Sequence, residues 1–194
     1  CFDILKSLGH TIIKPVPALT WLKIEEKYTK LWAGVRVNGK IKAYDENKNE
    51  LAEDSGELQL VSTGISGIPV FQISRYISRQ LEKTKRAYIE ADFLTEFSKD
   101  ELLGEILRRR QDEQELEVSY ILEGIMNNKL VDAILSRAGI NKNSKLKDLT
   151  TEQCEQLCSL IKKFEAEVKD TAGFDNAQVT CGGVSKREGN FKNM

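Results

Sequence analysis

Apolar and polar positions change period along this chain, and the change divides it into a β-rich frame around a helical block. Residues 2–8 place Ile4, Leu5 and Leu8 on one face at helical spacing, and Gly9 suits a left-handed C-terminal cap. From His10 the pattern becomes extended. Pro15 and Pro17 forbid helix and favour an edge segment, and residues 19–24 alternate apolar with polar. Val35-Arg36-Val37 and Ile41–Tyr44 flank Asn38-Gly39, which is either a two-residue hairpin or one long strand carrying a bulge. Residues 45–49 form a turn, and Gly56–Val61 is a further strand. Ser62-Thr63-Gly64-Ile65-Ser66-Gly67 then turns into a helix that starts near Pro69 with Val70, Ile73, Ile77 and Leu81 on its apolar face. Residues 86–91 return to strand.

The period becomes helical at Ser98. Ser98 with Glu101 makes a capping box, and Phe97 with Leu102 is placed for a hydrophobic staple. Leu102, Leu103, Ile106 and Leu107 share one face, and Arg108-Arg109-Arg110 is a solvated end that suits the helix dipole. Two short helices are expected over 116–126 and 128–138, the second closed by Gly139 and Ile140, and Thr150 with Gln153 caps a fourth. The expectation is a four-helix unit over 98–164, followed by strands at 165–169 and 178–180.

Composition adds bounds. The 194 residues are 40% hydrophobic and 30% charged, as in an ordinary globular protein. A net charge of −1 offers no footprint for nucleic acid or an anionic membrane, and no apolar run is long enough to span a bilayer. Four cysteines at irregular spacing make no disulfide framework, which points to a cytoplasmic setting.

Candidate chemistry is sparse. His10, the single histidine, has no second ligand or orienting partner in sequence and is taken as structural. Cys154 and Cys158 have metal-compatible spacing, but with Leu157, Ile161 and Phe164 they form one apolar stripe, so no metal site is assigned. The Ser62–Gly67 segment is either an anion-binding helix start or a tight strand-to-helix turn. Val179 to Val184 ends a strand in two glycines that permit close approach of a backbone or a flat ligand, and Cys181 lacks the sequence context of a redox thiol. No residue is assigned as a catalytic acid, base or nucleophile.

Read in order, Ser7–Ile12, Pro15–Leu19, Gly64–Pro69 and Gly173–Val184 resemble segments of the BaiN-like NAD(P)/FAD-dependent oxidoreductases, also called aminoacetone-oxidase-like or YhiN-like flavoproteins. The resemblance implies an α+β fold: a β-barrel-like insert domain with a nested helical subdomain, lacking the Rossmann-type FAD-binding domain. On that basis residues 1–9 are a remnant helix of the FAD-binding domain, 10–97 and 165–180 the β-rich insert, and 98–164 the helical subdomain. Residues 181–194 begin the return. The resemblance further implies FAD in a full-length parent, with NAD(P)H as a possible reductant and no cofactor expected in this chain alone. Its partners would be the missing FAD-binding domain and a small-molecule substrate. Thr180, Gly182, Gly183 and Val184 would face the cofactor, and Gly64, Ser66 and Gly67 the substrate side. Ile68 stands between Gly67 and Pro69, where relatives often place Pro directly after Gly. The competing expectation is an interaction or dimerisation module with no role in an active site.

Overall fold

A computed structural model describes residues 2–24 and 27–188; Cys1, Glu25, Glu26 and 189–194, including the end of the expected return segment, lie outside the described residues. Helix α1 (Phe2–Ser7) ends as its sequence requires. Gly9 takes φ +88°, and the amides of Gly9 and His10 donate to Lys6 O (2.9 Å) and Leu5 O (3.0 Å).

The frame is antiparallel. Among the described residues, strands β1 (Ile12–Ala18) and β9 (Val179–Val184) pair only with each other. The other seven are β2 (Leu22–Lys23), β3 (Arg36–Tyr44), β4 (Glu50–Val61), β5 (Gly64–Ser66), β6 (Tyr88–Asp92), β7 (Phe164–Glu167) and β8 (Asp170–Thr171). They form one sheet in the order β7-β6-β3-β4-β5-β2-β8. Its outer strands do not pair, so the ladder is open. Yet β7 and β8 are separated only by Val168 and Lys169, whose amides donate to Ala87 O (2.9 Å) and Lys23 O (3.0 Å). One short segment serves both edges, so the sheet must curl until they meet. That gives it a barrel-like form, and it also leaves little bare edge.

Several elements differ from the sequence reading. Of the two alternatives at Asn38-Gly39 the single long strand holds: β3 runs straight through, Gly39 pairs with Gly56, and the register shift falls between Ala43 and Tyr44 rather than at Asn38-Gly39. A Cβ on Gly39 would lie 2.6 Å from Asp92 O, so this glycine permits a close crossing rather than a turn. Strand β4 begins at Glu50, six residues before the expected Gly56. Its acidic start is held from across the ladder, with Lys40–Glu53 and Lys42–Glu50 ion pairs both at 2.7 Å. The expected strand over 19–24 shrinks to Leu22–Lys23, because Leu19 turns through φ +52°. The strand expected at 178–180 continues to Val184, completing its ladder with β1.

Helix α2 (Ile68–Thr84) packs on β1, β3, β4, β5 and β8, burying Val70, Ile73 and Ile77. Between β6 and β7 lie α3 (Lys99–Asp112), α4 (Asn128–Ala138) and α5 (Thr151–Lys162). Both expected capping boxes form, and Gly139 closes α4 in the left-handed conformation with Ile140 N donating to Leu135 O (3.0 Å). The helix expected over 116–126 does not form; only a 3-10 turn at Val118–Tyr120 remains. Its backbone is captured by the loop before α5, with Val118 N donating to Ser144 O (2.8 Å) and Ser119 N to Lys142 O (3.0 Å). The unit therefore has three α-helices, not four.

Frame and helices share a continuous core. Trp32 and Phe164 rings stand 5.1 Å apart, flanked by Tyr28 and Phe93 in tilted and edge-on contacts. Arg137 of α4 reaches across to stack over Phe164 and donates to the Tyr28 hydroxyl (2.9 Å).

Candidate functional site

The β1–β9 ribbon brings the glycine pair against the proline segment. Thr180 pairs with Pro17, Cys181 with Val16, Gly183 with Ile13 and Val184 with Ile12. The register shifts between Ile13 and Val16, where Lys14 and Pro15 bulge opposite Gly182. Gly182 has φ +128°, and a Cβ there would lie 2.8 Å from Lys14 O and 2.9 Å from Pro15 Cα. Gly183 has φ +109° and is covered by the ring of Phe2, 3.6 Å from where its Cβ would stand. Both glycines are therefore required by the ribbon itself. Thr180, Gly182 and Val184 are exposed along it, and Gly183 is buried.

Helix α2 holds this ribbon with three polar side chains from its C-terminal half. Arg79 bridges the two strands, Nη1 donating to Lys14 O (2.8 Å) and Nη2 to Cys181 O (3.0 Å). Ser78 Oγ donates to Pro17 O (2.6 Å). Glu82 pairs with Lys14, whose ammonium holds the carboxyl below its ordinary range. At the ribbon's far end Glu188 accepts from Thr11 N (3.0 Å) and pairs with His10 Nδ1 (3.0 Å), bonds that depress its own pKa. His10 thus has the partner that was invisible in sequence, since 178 residues separate them.

Gly64, Ser66 and Gly67 are placed elsewhere. They lie in β5 and at the N-cap of α2 rather than in an open turn, and Gly64 and Gly67 are buried. A Cβ on Gly64 would sit 1.9 Å from Leu22 O, and one on Gly67, at φ +110°, 2.4 Å from Glu57 O. Tight backbone crossings thus account for both glycines. Among the described residues no ladder joins β5 to the ribbon, and α2 packs against both β5 and β1. Eleven residues of helix separate Ile68 from Arg79, roughly 16 Å along the axis.

A cavity of about 440 Å³ borders the ribbon, with Val16, Pro17, Leu81 and Phe174 as apolar walls and Lys85 and Lys169 on its lining. Cys154 and Cys158 are buried in the apolar stripe, and burial pushes both thiols up, away from the thiolate a metal needs. Among the described residues no cluster of His, Cys, Asp or Glu could hold a metal. The Arg108-Arg109-Arg110 run is not simply solvated: Arg109 donates to Glu123 O (3.0 Å) and Arg110 to Leu149 O (3.2 Å).

A barrel-like antiparallel frame interrupted by a helical unit is the architecture of one known module, the HI0933-like protein barrel and H2TH domain, whose model matches residues 16–179. The chain belongs to the HI0933-like family. Consistent with this, it is 36% identical over 187 residues to the 3-dehydro-bile acid delta(4,6)-reductase of Clostridium scindens, which bears out the BaiN-like resemblance. The match covers 96% of this chain and 46% of that reductase, so the chain spans about half the length of its curated relative. The matched module starts inside β1 and stops at the first residue of β9, so the ribbon is where the family module begins and ends.

Proposed function

We propose that this chain is the insert of a FAD-dependent oxidoreductase, a cap over the flavin that shapes the cavity for a small organic substrate. The observation that carries the reading is the β1–β9 ribbon: both crossings of the family module pass through it, and it exposes Thr180, Gly182 and Val184. Apolar side chains gather around it. Phe2, Ile4, Leu8, Ile13, Val179 and Val184 are each between 40% and 70% exposed, as expected of a surface that a flavin domain covers. The ribbon's residues fit one edge of a cofactor, with Thr180 and the Gly182 backbone as polar contacts. The sequence carries no G-x-G-x-x-G loop, so the dinucleotide-binding loop would come from the partner domain. Gly64, Ser66 and Gly67 act in this reading by fixing the α2 start, and the cavity beside Pro17 and Phe174 is the substrate-side space.

When bound, the flavin supplies the electron transfer, and this chain supplies orientation and exclusion of water. The relative's name describes a reductase acting on a 3-dehydro-bile acid; the substrate proposed here is only a small unsaturated organic molecule, and NAD(P)H is the reductant that the family resemblance implies. The setting is cytoplasmic, in keeping with the free thiols of Cys154, Cys158 and Cys181. No helix among the described residues is long and apolar enough to cross a membrane.

The test adds FAD to this chain and to the full-length protein containing it, and follows the visible flavin absorbance after gel filtration. The chain alone stays colourless and the full-length protein is yellow. Stoichiometric FAD on the isolated chain would overturn the division of labour. The second reading, an interaction or dimerisation module, draws on Leu116 and Tyr120, exposed on the helical unit. It requires a dimer that survives dilution and is lost on substituting both residues with serine.

A further inference from the structure

Arg79, in the C-terminal half of α2, touches both strands of the ribbon. Each terminal nitrogen donates to a backbone carbonyl, Nη1 to Lys14 O and Nη2 to Cys181 O, and Nη2 also lies 3.7 Å from Cys181 Sγ. The acidic group nearest in sequence on the helix, Glu82, is engaged by Lys14. Among the described residues Arg79 forms no ion pair. A guanidinium is always charged, so a full positive charge is left uncompensated directly behind Gly182, where a Cβ would come within 3.0 Å of Nη2. Carbonyl dipoles accept two of its hydrogen bonds but do not cancel its charge. Covering this surface with a second domain would desolvate that charge further, an unfavourable arrangement unless an anion arrives with the covering domain.

Resting on the flavoprotein reading above, we propose that Arg79 is the insert's electrostatic contact to the cofactor: a fixed cation behind the Thr180–Val184 strand that favours an anionic part of FAD docked on that strand. Two parts of FAD carry negative charge, the pyrophosphate and the ring system in its two-electron-reduced form. A cation held beside the ring stabilises the reduced anion relative to the neutral oxidised ring, which raises the midpoint potential. A cation beside the pyrophosphate strengthens binding of both redox forms alike and leaves the potential unchanged. Arg79 is a positioning residue in either case, because it reaches the cofactor through the ribbon.

The test uses the full-length protein with Arg79→Gln, which removes the charge and keeps a donor, and Arg79→Lys, which keeps the charge and gives up the two-pronged geometry. The readouts are the midpoint potential of the bound flavin and the dissociation constant of oxidised FAD, with thermal midpoint as the control for folding. The expected result is a lower potential in Arg79→Gln, restored towards wild type in Arg79→Lys. A tenfold or greater loss of FAD affinity in Arg79→Gln with unchanged potential, again restored by lysine, assigns the charge to the pyrophosphate instead. The proposal is overturned if both variants behave alike in these readouts, or if neither departs from wild type by more than twofold in affinity and the potential is unchanged. A full-length wild-type protein that holds no flavin would sink the underlying reading, a result distinguishable from failure of the Arg79 assignment.

Discussion

Gly64→Ala separates a glycine needed by the fold from one needed by a ligand. The added methyl would stand 1.9 Å from Leu22 O, whereas a carbon and a carbonyl oxygen in contact lie about 3.4 Å apart, so β2 and β5 must separate by roughly 1.5 Å. Neither side has a flexible end to move, since the obstructing atom is backbone in the paired strand. A shift of that size exceeds what a ladder with a spacing of about 4.8 Å tolerates. It breaks the Leu22–Ile65 and Lys23–Gly64 pairing and strains the Ile24 N to Thr63 O bond (2.9 Å). Two or three hydrogen bonds at about 1 kcal/mol each, added to an overpacking cost of about 1–3 kcal/mol, give a loss of about 3–6 kcal/mol. That is a large part of the stability of an ordinary domain, and it lowers Tm by about 10 °C. Urea unfolding of this chain, followed by fluorescence of the buried Trp32, measures it. Gly104→Ala in α3 is the matched control: nothing lies within 4 Å of its Cβ, so the helix gains about 0.5–1 kcal/mol. A Gly64→Ala protein within about 0.5 kcal/mol of wild type would refute the steric argument and return Gly64 to the list of ligand-facing positions.

Two further outcomes test how the helical unit is anchored. Lys162 ends α5 with its ammonium 2.7 Å from Asp92 Oδ2 and bonded to Leu94 O (2.7 Å) and Phe97 O (2.5 Å), with both charged side chains less than a quarter exposed. Lys162→Met leaves those acceptors behind and costs about 2–4 kcal/mol; a double-mutant cycle with Asp92→Asn that gives coupling below about 0.5 kcal/mol would argue against the tether. Glu105 has its carboxyl drawn down to about 2 by hydrogen bonds from the Arg108 and Arg109 guanidinium groups. Because the folded value lies below the unfolded one, its contribution is complete above about pH 4.5 and is lost as the pH falls towards 2. Glu105→Gln therefore flattens the acid limb of the stability curve in that window, and superimposable limbs for the two proteins would contradict this.

The sequence determined whatever depends on neighbours within a turn or two. Ser98 with Glu101, Thr150 with Gln153, and the left-handed Gly9 and Gly139 were readable because a cap joins residues only a few positions apart. The family was readable too, since it rests on the order of short segments. The tertiary structure decided what depends on pairing at a distance. Glu50–Ser55 lacks a strand pattern because its strand is held by lysines of β3, and 116–126 looks helical until residues 142–146 compete for its amides. Gly39, Gly64 and Gly67 were visible as glycines, but only the folded chain shows which backbone crosses each one. The ribbon follows the same logic. Its glycines and prolines stood out in the sequence, whereas their opposition, the Arg79 bridge and the Glu188 clamp join residues 65 to 178 positions apart. Local chemistry fixes where elements start and stop, and long-range backbone bonding fixes which of them meet.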